Sequence, residues 1–169
     1  MTSPSSPALG RARRGEIWWA DFGERRPVVL LSEEGPSGFR AMHVVAAADT
    51  DISGLAIEVA IGTPEGLPFD GVLRFGLAWP GFTPCTWETI MRQDDLIEQV
   101  GVVSAAKLRE IDDARRASEQ PAELSPEAMA RLSAIRDSLR QRAQAGELPA
   151  HSALVSAYST SPCSAPSIG

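Results

Sequence analysis

The chain has 169 residues, is 43% hydrophobic and carries a net charge of −6, which suits one packed domain with additional ends. The acidic balance excludes a protein that coats nucleic acid by bulk charge, so any nucleic-acid contact must rest on placed arginines. No apolar run approaches the roughly 18 residues of a membrane span, the N-terminus shows no apolar h-region of a secretory signal, and Cys85 and Cys163 lack disulfide-framework or zinc spacing; a cytosolic protein without metal or cofactor is expected.

Residues 1–13, rich in Ser, Pro and Ala, read as a disordered arm. "GEIWWADF" (15–22) is β-branched and aromatic and predicts a first strand, with Ile17, Trp19 and Asp21 on one face and Trp18, Ala20 and Phe22 on the other. "GERR" (23–26) predicts a tight turn. "PVVLLS" (27–32) predicts a buried second strand, with Pro27 at its first position because proline has no N–H for the ladder. After a turn at 33–38, "FRAMHVVAAA" (39–48) predicts a third strand and "DTDISG" (49–54) a loop. "LAIEVAI" (55–61), "VLRFGLAW" (72–79) and "TWETIMR" (86–92) predict further strands, separated by "GTPEGLPFDG" and "PGFTPC". Short sequential strands between Gly- and Pro-rich turns indicate a small antiparallel barrel or sandwich.

The period then changes. "DDLIEQVG" (94–101) predicts a short helix or turn. Ser104 is a natural N-cap for a helix over 104–118, with Ala105, Leu108 and Ile111 on one face. Ser125 and Pro126 open a second helix, 125–141, with an apolar stripe of Ala128, Leu132, Ile135 and Leu139. That stripe is expected to dock on the chain's own strands or on a second copy. The reading divides the chain into an arm (1–13), a barrel domain (14–118), an extra amphipathic helix (119–145) and a disordered Ser/Ala/Pro-rich tail (146–169).

Three ordered segments, "RRGEIWWADFGERRPVVLLS", "VVAAADTDISGLAIEV" and "CTWETIMRQDDLIEQVGVVSAAKLREIDDA", together resemble the MazF/PemK family of type II toxins. The matching features are a Gly-acidic-apolar-aromatic strand at Gly15–Asp21, an Arg-Pro-apolar strand at Arg26–Ser32, and the segment from Ile90 to Asp112. The resemblance spans about residues 12–118. It implies an α+β, mainly β fold, a small SH3-like antiparallel barrel of the CcdB/PemK kind with C-terminal helices. It also implies a homodimer, a cognate MazE-like antitoxin, and metal-independent cutting of single-stranded RNA that leaves a 2′,3′-cyclic phosphate and a 5′-hydroxyl. Two departures stand out. The family's longer loop before Arg-Pro is here almost closed to "GE", which points to altered substrate recognition. The family's catalytic Ser/Thr after the third strand corresponds to Thr50, although an ungapped register puts Asp49 in that place.

On this resemblance Arg26 and Thr50 are the candidate catalytic residues. A guanidinium fixed by Pro27 and a rigid strand can hold a scissile phosphate by paired hydrogen bonds; the plain alternative is a solvated strand-end charge. Only about one arginine in 10⁵ or fewer is deprotonated at neutral pH, so Arg26 as general base would cost at least about 7 kcal/mol. Stabilising charge on the phosphorane has no such cost, so Arg26 is assigned to charge stabilisation and the base stays open. Thr50 would orient the phosphate or relay a proton; its alternative is an Asx/ST turn in "DTD". The candidate RNA-binding residues are Arg25, Trp18, Trp19, Asp49 and His43. Alternation puts one tryptophan inward as core and leaves the other free to stack a base. Asp49 and Asp51 must point away from a phosphate or serve as a base. His43 has a suitable ordinary pKa near 6.5 but is equally a satisfied strand histidine.

Other classes remain open at this stage. The same barrel serves a non-catalytic, gyrase-poisoning toxin, whose Trp-Gly-Ile-like end contrasts with "APSIG" here. The Asp49 register also suits an inactive paralogue.

Overall fold

The fold is described from a computed structural model over residues 11–49, 51–78 and 87–146. The elements run β1 (Glu16–Asp21), β2 (Arg25–Leu30), β3 (Phe39–Val44), β4 (Ala46–Ala47), β5 (Ala56–Ile61), β6 (Gly71–Gly76), β7 (Glu88–Arg92), β8 (Leu96–Val102), α1 (Ala105–Ser118) and α2 (Pro126–Gln144). Five strands form one sheet in the order β7-β3-β2-β1-β8, and three form another in the order β4-β6-β5. The pairs β1–β2, β1–β8, β2–β3, β3–β7 and β4–β6 are all antiparallel. The fold is therefore α+β and mainly β, as the sequence predicts. No described helix is long and apolar enough to cross a membrane.

The chain divides into two compact units. Of the described residues, one unit holds 11–49, 58–75 and 87–115, and the other 51–57, 76–78 and 116–146. In the first, Trp18, Ala20, Val28, Leu30, Met42, Val44 and Leu96 form a buried cluster with Ala12. Each large side chain buried there contributes about 1.5–3 kcal/mol. Ala12 falls in the stretch expected to be a disordered arm, yet it is 1% exposed and its carbonyl accepts a 2.8 Å bond from Arg40 Nη1. Arg40 is itself 1% exposed, with Nη2 at 3.2 Å from Glu34 and 2.8 Å from Gln93. Residues 1–10 and 147–169, which include most of the expected arm and tail, lie outside the described residues.

Three local expectations are corrected. Arg25 and Arg26 are not in a turn: β2 begins at Arg25, which pairs with Asp21, while Arg26 pairs with Ala20. Pro27 is thus the third residue of β2, opposite Trp19. It is tolerated because its carbonyl points to the β3 side, where Val45 N–H donates to it at 2.9 Å. N and O of a strand residue point the same way, so no ladder bond to β1 needs a proline N–H. The expected third strand, 39–48, breaks at Val45, where the chain passes from the five-stranded sheet to the three-stranded one. The predicted helix or turn at 94–101 is a single 3₁₀ turn, Gln93–Asp95, followed by β8. Pairing with β1 along "LIEQVGV" overrides the weak local preference. There Gly101 meets the Glu65 carbonyl so closely that no side chain fits.

Both helices lie where predicted. Ser104 Oγ accepts from Lys107 N at 3.1 Å and Ser125 Oγ from Ala128 N at 3.1 Å, so each serves as an N-cap. In α1, Ile111 and Ala114 are buried, and Asp112 receives Arg14 at 2.6 Å. In the second unit, Ala128 of α2 is buried and Leu132, Ile135 and Leu139 are half-buried. Arg131 of α2 holds Asp51 at 3.2 Å and donates to the Ser53 carbonyl. A Cβ built on Gly54 (φ +79°) would stand 3.1 Å from the Ala128 methyl.

Candidate active site

Arg26 is the second of the two exposed residues that open β2, directly before the buried run Pro27–Leu30. The β1–β2 loop that presents it is short. Asp21 pairs with Arg25, Phe22 N–H donates to the Glu24 carbonyl at 3.0 Å, and Asp21 Oδ1 accepts from Gly23 N at 2.8 Å. Gly23 takes φ +81°, the left-handed conformation that the turn requires and that glycine adopts without steric cost. The closed "GE" loop thereby places Glu24 in the bend two residues before Arg26.

These two side chains are bonded. Arg26 Nε donates to Glu24 Oε1 at 2.7 Å, and Nη2 donates to the same oxygen. The carboxylate therefore grips one edge of the guanidinium. Arg26 has five N–H donors; Nε and Nη2 each give one to Glu24, and Nη1, at the neighbouring end, makes no hydrogen bond among the described residues. That end is open to solvent, with the Arg26 side chain 46% exposed. It can accept a phosphate in the paired geometry that suits a guanidinium. Neither Glu24 nor its pairing with Arg26 is predicted from sequence; the signal available is an acidic residue two positions before Arg26 in a short loop.

Arg25 points to the opposite face. Its guanidinium lies over the Trp19 ring, 4.9 Å from the centroid, and Nη2 donates to Glu98 Oε2 on β8. Trp19 pairs with Glu98 across β1–β8 and with Pro27 across β1–β2, so all three groups share that face. Trp19 is half-buried, whereas Trp18 is 2% exposed, with its Nε1 donating to Glu16 at 2.9 Å. Of the two tryptophans, Trp18 is the core residue and Trp19 the accessible one. Glu98 has no local sequence signal, since it reaches Arg25 only through β8, an element that the sequence did not reveal.

His43 is removed from any solvent-facing role. It is fully buried on β3, with Nδ1 2.9 Å from the Val44 carbonyl and Nε2 3.0 Å from the Arg74 carbonyl. Its ring packs 4.7 Å from that of Phe75. Burial is the main influence on its pKa and pushes it below 6.5; the two carbonyls and Glu88 act in the opposite sense, and Arg115 adds to the lowering. Asp49 is exposed beyond β4. Thr50 lies outside the described residues, as do Trp79, Phe82 and both cysteines. Asp51 is in the other unit; the Ser53 hydroxyl and N–H, with Arg131, hold its carboxyl below the ordinary range. Among the described residues, no group of three or more His, Cys, Asp or Glu side chains can hold a metal ion.

No protein-family model matches the chain. It is 44% identical over 50 residues to the probable endoribonuclease MazF5 of Mycobacterium tuberculosis, a match covering 28% of this chain and 46% of that protein. The chain thus spans about half the length of the curated relative it matches. Among solved structures it is similar to an endoribonuclease in complex with its cognate antitoxin from a mycobacterial species, at 14% identity and a TM-score of 0.45, over 68% of this chain and 99% of that one. It is likewise similar to the Mycobacterium tuberculosis toxin MazF-mt6, at 16% identity and a TM-score of 0.46, over 64% of this chain and 99% of that one. Over the matched 50 residues the chain is similar to a MazF endoribonuclease.

Proposed function

We propose that the protein is the toxin of a type II toxin–antitoxin pair, an endoribonuclease that cuts single-stranded RNA at a short specific sequence. The 2′-hydroxyl attacks the adjacent phosphorus, and the products are a 2′,3′-cyclic phosphate and a 5′-hydroxyl. No metal takes part. The observation that carries the reading is the Arg26 guanidinium at the mouth of a buried strand, 46% exposed and with Nη1 unbonded among the described residues. A fixed cation in that place stabilises the charge that builds on the phosphorane. Thr50 orients the phosphate or relays a proton, and Arg25 on Trp19 offers a flat cation to an unpaired base. Asp49 lines the RNA path. A cognate MazE-like antitoxin is the partner of the toxin, which works as a homodimer in the cytoplasm.

The deciding experiment incubates the purified protein with a long unstructured RNA in EDTA. Discrete fragments ending in a cyclic phosphate are expected, and an all-deoxy substrate should stay intact. An RNA that survives, with the protein folded, would leave a non-catalytic binder or an inactive relative.

A further inference from the structure

We propose that Glu24 is the general base that activates the 2′-hydroxyl. This rests on the RNA-cleaving reading above and names the group that reading leaves unassigned.

Arg26 carries its charge too firmly to take a proton. His43 is buried, with both ring nitrogens on backbone carbonyls. Glu24 is the carboxylate in direct contact with the guanidinium, and it uses only one of its oxygens. Oε1 takes both bonds from Arg26, while Oε2 makes none among the described residues. The side chain is 62% exposed, so Oε2 is open to a ligand.

The geometry of the fork then sets the rest. Glu24 occupies the Nε/Nη2 edge of Arg26, and Nη1, at the neighbouring end, makes no hydrogen bond among the described residues. A phosphate bound at that end sits beside the carboxylate without displacing it. The 2′-hydroxyl of the preceding ribose then falls between them, its proton towards Oε2 and its oxygen towards phosphorus. A base needs this hydrogen-bond reach before its pKa matters. The guanidinium also offsets the repulsion between carboxylate and phosphate, which would otherwise oppose the arrangement.

The step balances as follows. Oε2 removes the 2′-hydroxyl proton, the 2′-oxygen forms a bond to phosphorus, and the phosphorus–O5′ bond breaks. The electron pair of that bond leaves on the 5′-oxygen, which takes a proton from water. Glu24 returns its proton to solvent.

The test compares the full-length wild type with Glu24→Gln and Glu24→Asp. Cleavage is measured on unstructured RNA, and binding on the same sequence as its 2′-O-methyl form, which lacks the attacking proton. Thermal melting confirms that each variant is folded. Glu24→Gln should lower the cleavage rate by about 10²–10⁴, the usual worth of a positioned base, while binding the methylated RNA as tightly as wild type or tighter. Glu24→Asp should keep part of the rate. A Glu24→Gln protein that cleaves as fast as wild type or faster overturns the proposal and makes Glu24 a mere counter-ion. Equal loss of rate and affinity overturns it too, by showing that Glu24 only holds Arg26 in place. Absence of cleavage by the wild type would instead remove the RNA-cleaving reading, and the base with it.

Discussion

Trp19 and Arg25 stack on the face of the β1–β2 hairpin opposite Arg26, with the guanidinium carbon 4.9 Å from the indole centroid. Glu98 pins the far end of the same guanidinium. The two adjacent arginines are thereby split between two tasks by strand alternation alone. On the proposed function, Arg26 meets the phosphate and Arg25 presents a flat cation for a base. Arg25→Ala should therefore weaken binding of single-stranded RNA by about two- to fivefold, the equivalent of an exposed cation–π contact. The single-turnover rate at saturating protein should change less than about twofold, because no reacting atom is touched. A loss confined to the rate would place Arg25 in the chemistry instead.

Arg26 should behave in the opposite way. Arg26→Ala should lower the cleavage rate by roughly 10²–10³, the common cost of one charge-stabilising donor, with the melting temperature close to wild type. The ion pair it loses is exposed and adds little to stability. Arg26→Lys should recover only part, since an ammonium cannot hold Glu24 on one edge and a phosphate on the next. Thr50→Ala should cost about tenfold to a hundredfold, one hydrogen bond to a charged group being worth about 1.5–3 kcal/mol. Rapid-quench kinetics on a short RNA measures all three.

The contrast between these residues shows where sequence is informative. Strands β1, β2, β5 and β7 were legible because their runs of β-branched and aromatic residues sit between Gly and Pro signals. The helix starts were legible because Ser104 and Ser125 are local caps. Strand β8 was not, since its order comes from pairing with β1, some 80 residues away in sequence, rather than from local preference. The site divides in the same way. Arg26 is a candidate through the resemblance of the Arg-Pro-apolar strand, whereas Glu98 is recognisable only after β8 has been placed beside Trp19. Trp18 and Trp19 could be told apart only by burial, because alternation says that they differ and not which one is inside.

Arg40 should be a stability residue. It is 1% exposed and tied to the Ala12 carbonyl, Glu34 and Gln93, so it links the N-terminal stretch to β3 and the 3₁₀ turn before β8. Its Nε lacks a partner among the described residues. Arg40→Ala should destabilise by about 3–5 kcal/mol, because the buried partners lose their cation. Arg40→Met, which keeps the volume, should cost less. Urea unfolding followed by tryptophan fluorescence reads both through Trp18.

In the second unit, α2 approaches the 51–54 loop through its smallest side chain. Ala128 is 1% exposed, and a Cβ at Gly54 would lie 3.1 Å from its methyl. Ala128→Leu has no room to place its added atoms and should destabilise by about 1–3 kcal/mol. Met129→Leu, at a 49% exposed position one residue on, should be close to neutral. Equal melting temperatures for all three proteins would show that α2 does not depend on this contact.

His43 should make stability pH-dependent. A neutral imidazole has one N–H, so it donates to only one of the two carbonyls that flank it. Protonation would let it donate to both, but burial opposes the charge more strongly, and the folded pKa lies below 6.5. The unfolded chain therefore binds this proton more readily than the folded one. Stability should be fully present above about pH 6.5 and decline as the pH falls through the lower, folded value. Glu88 and Arg115 act on this balance in opposite senses, so Glu88→Gln should deepen the decline and Arg115→Gln should reduce it. His43→Gln should flatten the pH dependence of the melting temperature between about pH 5 and pH 7, at the cost of a lower plateau from poorer packing against Phe75. An unchanged slope in that variant would assign the decline to the carboxylates instead.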